Sequence, residues 1–168
     1  MHVKRFARRA RASYRGGMYR RILVPLDGSP PSLLGLKEAI RLARDGRARL
    51  RLVHVLDETP MLGMMEEGVD LRPFLQGLRR RGAAIVERAK RLAEKSGVPA
   101  DAIMAESAGG PAADAILREA KKWRADAIAM GTHGRRGLRH VVLGSEAERV
   151  VRLSPVPVLL VRARGAAR

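Results

Sequence analysis

The sequence predicts an α/β fold, a five-stranded parallel sheet with helices on both faces, and three observations predict it. From Met18 onward short apolar runs alternate with longer amphipathic ones, the order expected of strand–helix–strand units. One run, Leu52-Val53-His54-Val55-Leu56, is almost continuously apolar, as a strand covered on both faces must be. A glycine-rich segment follows the fourth apolar run, at the end of a strand where open parallel sheets receive ligands.

Each element has its own signal. Ile22-Leu23-Val24 reads as the first buried strand. Ser29-Pro30-Pro31-Ser32 reads as a helix start, a hydroxyl cap with proline in the first turn, and Leu33, Leu36, Ile40 and Ala43 follow at helical spacing. Leu50 to Leu56 is the second strand, and Thr59 to Gly68 a loop carrying methionines at 61, 64 and 65. Leu71, Phe74, Leu75, Leu78, Ile85, Ala89 and Leu92 define a long helix that ends near Gly97. Ile103-Met104-Ala105 is a short third strand. Pro111 opens a third helix with Ile116, Leu117 and Ala120, and Ala127-Ile128-Ala129-Met130 is the fourth strand. A short helix with Ala147, Val150 and Val151 precedes Pro157-Val158-Leu159-Leu160-Val161, the fifth strand. Pro155 and Pro157 cannot donate to a ladder, which assigns this strand to a sheet edge.

Composition narrows the function. The 168 residues suit one domain, and a hydrophobic share of 46% with only 3% aromatics calls for an aliphatic core. There is no cysteine, hence no disulfide and no thiolate metal site, which suits a cytoplasmic setting. No apolar run approaches the roughly 20 residues that cross a bilayer, and no secretory signal is visible. The net charge is +17. Part of it lies in residues 1–17, where Lys4, Arg5, Arg8, Arg9, Arg11 and Arg15 meet no acid before Gly16–Gly17. This stretch reads as a basic flexible extension ahead of a domain over residues 18–165. A nucleic-acid arm, an arginine-rich transit-type segment and a start at Met18 are the readings left open for it. Many other arginines fall on helix faces, where solvation is their usual role. The charge supports affinity for a polyanion, and a nucleotide triphosphate is one.

The chemistry concentrates in Gly131-Thr132-His133-Gly134, nine further residues, and Gly144-Ser145. Glycines let the backbone approach an anion closely, and a helix N-terminus offers free N–H groups with a partial positive charge. Arg135, Arg136, Arg139 and His140 add cations around the same loop. Each helix-end charge interaction contributes only about 0.3–1 kcal/mol. Micromolar binding needs about −8 kcal/mol. Several amides, the arginines and a base pocket must therefore act together. Such spacing alone also suits plain turns with Ser145 as a helix cap. The loop is not a Walker A loop, because no Gly-Lys-Ser/Thr occurs, and Asp27-Gly28-Ser29 stands where a dinucleotide fingerprint would begin.

With these residues in view, the chain resembles the universal stress protein family. Tyr19-Arg20-Arg21-Ile22-Leu23-Val24-Pro25-Leu26-Asp27-Gly28-Ser29 is similar to its first strand and turn, and Leu52-Val53-His54-Val55 to its second strand. Gly131-Thr132-His133-Gly134-Arg135-Arg136-Gly137 and Gly144-Ser145 match every fixed position of its phosphate loop, G-x2-G-x9-G-(S/T). Ser154-Pro155-Val156-Pro157-Val158-Leu159-Leu160-Val161 resembles its terminal strand. The likeness runs from Met18 to Arg162 and points to the ATP-binding branch. It implies a Rossmann-like sheet of order 3-2-1-4-5, with Asp27 and Gly131 facing each other across the crevice. It implies ATP as ligand, with Mg2+ as phosphate counter-ion. Asp27 would lie by the nucleoside, the backbone of Val55 would hold adenine, and Pro25 belongs to the same binding set. Gly131 and Gly134 would line the ribose and phosphate path, Gly144 and Ser145 would hold the phosphates, and Arg135 joins the binding set as a cation of the loop. It further implies a homodimer, for which the edge strand Val158–Val161 could supply the pairing, and a stress or regulatory role with little or no catalysis.

Single residues also admit simpler roles. Asp27 also suits a turn that caps the first helix. His54 in an apolar strand reads as a core or rim histidine. His133 and His140 lie seven apart with no carboxylate near in sequence, a poor metal pattern. Asp57, Glu58, Glu66 and Glu67 read as solvated. No paired carboxylates and no Ser-His-Asp set can be assigned, so no catalytic residue is named. An ATP hydrolase or phosphotransferase, and a nucleic-acid module built on residues 1–17, are the rival functions.

Overall fold

The computed structural model describes residues 19–57, 70–107, 109–132 and 143–162. Nine elements follow in order: β1 (Arg21–Pro25), α1 (Pro30–Gly46), β2 (Arg49–Leu56), α2 (Arg72–Lys95), β3 (Ala100–Glu106), α3 (Ala112–Trp123), β4 (Ala127–Gly131), α4 (Ser145–Leu153) and β5 (Val158–Val161). All pairings are parallel and the sheet order is β3-β2-β1-β4-β5. The five-stranded sheet, the order 3-2-1-4-5 and the edge position of β5 are as the sequence and its resemblance led one to expect. The basic stretch 1–17 and the methionines at 61, 64 and 65 lie outside the described residues.

Side-chain alternation along the strands splits the core in two. Ile22, Val24, Leu50, Leu52 and Ala129 face α1 and α2, meeting Leu36, Ala39, Ile40, Ala43, Ala89 and Ala93. Leu23, Val53, Ile128 and Met130 face α3 and α4, meeting Ala113, Ile116, Ala120, Ala147 and Val150. With so few aromatics, tight aliphatic contact must supply the cohesion; truncating Leu52 or Ile128 to Ala would cost about 2–5 kcal/mol.

Local chemistry sets the helix ends. Ser29 caps α1, its hydroxyl accepting from Ser32 N–H at 3.3 Å, and Pro30 and Pro31 fill the first turn. Arg47 and Arg124 terminate α1 and α3 in the left-handed region, at φ 52° and 56°. β3 is longer than the predicted Ile103–Ala105 because its pairing with β2 runs from Ala100 to Glu106. The ladder, not the apolar run, decides its length. Phe74 and Leu92 follow the helical period yet stand 52% and 39% exposed. α2 is longer than the sheet edge it covers.

The charge is less uniformly solvated than its sequence suggests. Arg51 on β2 pairs with Asp101 of β3 at 2.6 Å and Glu119 of α3 at 2.8 Å, and its guanidinium carbon lies 4.9 Å from the centroid of Trp123. Glu119 is buried, and this partner is what lets it be so. The hydrogen bonds that Arg51 donates to Asp101 push its pKa above the ordinary value.

Candidate functional site

The sheet order reverses between β1 and β4, so the crevice beyond their carboxyl ends is the natural ligand position. β1 and β4 pair through Ile22 with Ala127 and Leu23 with Ile128. Carried forward, this register brings Leu26 level with Gly131 and Asp27 level with Thr132.

On the β1 side, Pro25 ends the strand and is buried, while Asp27 is half-buried in the turn that follows. Asp27 Oδ1 accepts from Ser29 N–H at 2.9 Å. The turn-forming role anticipated for this residue is therefore real, and Gly28 completes the turn at φ 81°.

On the β4 side, Gly131 is buried beneath the first turn of α1. A Cβ there would run into the main chain of Pro31. Gly35 is its counterpart, since a Cβ on it would meet Gly131 N at 2.9 Å. Two glycines thus let α1 lie directly on the end of β4, which is a packing demand independent of any ligand. Thr132 N–H donates to Val161 at 3.1 Å, and the Thr132 carbonyl accepts from Gly144 N–H at 2.9 Å. The second bond ties together the two ends of the segment between Thr132 and Gly144, so the start of α4 stands beside the end of β4. Gly134 and Arg135 lie within that segment, outside the described residues, as do Arg136, Arg139, His133 and His140.

α4 begins differently from the sequence expectation. Gly144, not Ser145, is its cap, at φ −62° and ψ 144°, and Ser145 is the first helical residue, exposed. No side chain caps this end among the described residues. Of the other helices only α1 is capped by its own cap residue, Ser29; at α2 and α3 the cap residues Leu71 and Pro111 offer no such bond, and Asp70 and Glu146 accept from the Arg72 and Ala113 N–H instead. Glu146 comes from α4 itself, so the first turn of α4 satisfies an amide of its neighbour, while its own N-terminal amides have no side-chain partner among the described residues. Asp114 and Arg149 fasten the same two helices at 2.8 and 3.0 Å. The Arg149 hydrogen bond holds the Asp114 carboxyl below its ordinary pKa.

Val55 is half-buried on β2, against the core on the α3 side. His54 is buried, with its Nδ1 2.7 Å from the Leu26 carbonyl. The described residues hold no group of three or more His, Asp or Glu side chains suited to a metal. Nor do they include a helix long and apolar enough to cross a membrane.

The structure thus brings Pro25, Asp27, Gly131, Gly144 and Ser145 to one lip of the sheet. Sequence reasoning missed Gly35, Thr132 and Glu146. A glycine inside an otherwise regular helix was a signal for Gly35. Thr132 acts through its main chain, and Glu146 through a tertiary contact, so neither had a local signature.

Comparison with known proteins agrees with this architecture. The chain is 37% identical over 145 residues to universal stress protein MJ0531 of Methanocaldococcus jannaschii, covering 86% of this chain and 83% of that one. Its fold matches the solved structure of protein MJ0577 from the same organism with a TM-score of 0.73 and 29% identity, over 89% of this chain and 99% of the other. A universal stress protein of Archaeoglobus fulgidus, solved in complex with dAMP, shares the fold at a TM-score of 0.59 and 20% identity, over 84% and 97%. The universal stress protein family description matches residues 18–162, which embrace every strand and helix above and the whole lip between β1 and β4. By its sequence over that span and by its sheet, the chain belongs to the universal stress protein family.

Proposed function

We propose that this chain binds ATP at the lip between β1 and β4 and serves a stress or regulatory role with little or no turnover. The observation that carries the reading is the start of α4. The G-x2-G-x9-G-S pattern ends there, Gly144 is tied back to β4, and among the described residues no side chain caps the N-terminal amides, whereas Ser29 caps α1 at the same lip. Uncapped amides at a helix N-terminus suit a phosphate chain, both by hydrogen bonding and by the helix dipole. Asp27 and the main chain of Val55 would hold the nucleoside, and Gly134 and Arg135 would extend the phosphate path. Mg2+ would be held mainly by the phosphate oxygens and water rather than by a protein cage. Val158–Val161, as an edge strand, would pair with its copy in a homodimer.

The test is direct. Mass spectrometry of small molecules released on heat denaturation, with calorimetric titration of the emptied protein, should show an adenine nucleotide and an ATP affinity in the micromolar range or tighter. No measurable ATP binding would sink the proposal.

A further inference from the structure

Two facts about Leu26 are unusual together. Its N–H donates to the Val53 carbonyl at 2.8 Å, continuing the β1–β2 ladder. Its carbonyl lies 2.7 Å from His54 Nδ1. A carbonyl oxygen only accepts, so Nδ1 carries the proton and the bond runs from ring to backbone. The ring is held for this task. It is 7% exposed, and Gly82 of α2 leaves room for it, because a Cβ at Gly82 would come within 2.5 Å of His54 Cδ2.

The consequence falls on Val55. Along a strand, peptide groups point alternately to the two neighbouring strands. Val53 presents its carbonyl to β1 and Leu56 presents its own to Ser107, on the β3 side. Val55 therefore turns its N–H and carbonyl toward β1. In a regular parallel ladder its N–H would go to the Leu26 carbonyl. That pairing is not made: the last β1–β2 hydrogen bond is the one from Leu26 N–H to Val53, and His54 Nδ1 donates to the Leu26 carbonyl instead. The Val55 N–H is left facing the space above the end of β1.

We propose that His54 is a positioning residue for the nucleotide site: by taking the Leu26 carbonyl it stops the β1–β2 ladder one step early and keeps the Val55 main-chain donor open for the ring edge of a purine base. The role rests on the nucleotide reading above, but its structural half does not.

Two variants separate the donor from the bulk. His54→Asn keeps an amide donor near the position of Nδ1. His54→Leu removes it and suits the apolar surroundings. Amide hydrogen exchange, followed by NMR without nucleotide, should show Val55 exchanging faster than Val53 in the wild type. In His54→Leu the freed carbonyl takes the Val55 N–H, and protection there should rise about tenfold, the effect of one net hydrogen bond. His54→Asn should resemble the wild type. ATP titration should show about tenfold weaker binding for His54→Leu and near-normal binding for His54→Asn. Unchanged Val55 protection in a folded His54→Leu protein overturns the ladder claim. Altered protection with unaltered ATP affinity overturns the link to the base. If the wild type binds no adenine nucleotide, the site reading falls with that link, and the exchange data still decide the ladder claim.

Discussion

Two helices start at the same lip of the sheet, and they are finished in opposite ways. α1 follows a turn in which Asp27 takes the Ser29 N–H and Ser29 takes the Ser32 N–H. The turn consumes its own donors. α4 follows Gly144, which has no side chain to offer, and its carboxylate at Glu146 is engaged with α3. The first arrangement stabilises a helix by itself. The second has no side-chain cap among the described residues, and the difference teaches how withholding a cap would leave amides for a ligand.

Four substitutions probe that contrast. The largest effect should come from Gly131→Val, which drives a side chain into the Pro31 main chain where α1 rests on β4. Neither backbone can yield easily, so stability should fall by about 3 kcal/mol or more, read by urea denaturation. A stable Gly131→Val protein would show that α1 does not rest on β4 as described. Next, Gly144→Asp makes α4 resemble α1. Its backbone angles suit any residue. The new cap should raise stability by about 1 kcal/mol. The carboxylate should repel phosphate and weaken ATP at least about tenfold by titration, roughly 1.4 kcal/mol. Tighter or unchanged binding would break the comparison. Ser29→Ala should cost about 1 kcal/mol in thermal or urea melts by unmaking the α1 cap.

The smallest effect concerns the Asp114–Arg149 link that holds α4 against α3. The Asp114 carboxyl lies below its ordinary 3.8 when folded, so its contribution is present above that pH and is lost as pH falls through the lowered value. Melting temperature in the acid limb should therefore drop less steeply for Asp114→Asn than for the wild type. Identical acid limbs would show that the exposed pair contributes nothing measurable.

Much of the fold was legible because its causes are local. Ser29-Pro30-Pro31 announces a helix start in any context, and the proline pair near β5 announces an edge. Other features were not legible because their causes are distant. Glu146 reads as a first-turn acid until α3 places Ala113 N–H against it. Arg51 reads as one more surface cation until Asp101 and Glu119 close on it from another strand and a helix. Ser145 reads as a cap, but the bond from Gly144 to Thr132 sets the boundary one residue earlier.

By itself the sequence determined the period of each element, the covering of the second strand on both faces, and the glycine positions at the lip. These follow from backbone sterics and from the transfer of side chains out of water, which act over a few residues. Only the tertiary structure decided which amides are spent and which are left over. That depends on contacts between residues far apart in the chain, such as His54 with Leu26 and Glu146 with Ala113, and no local pattern encodes the partner of a hydrogen bond.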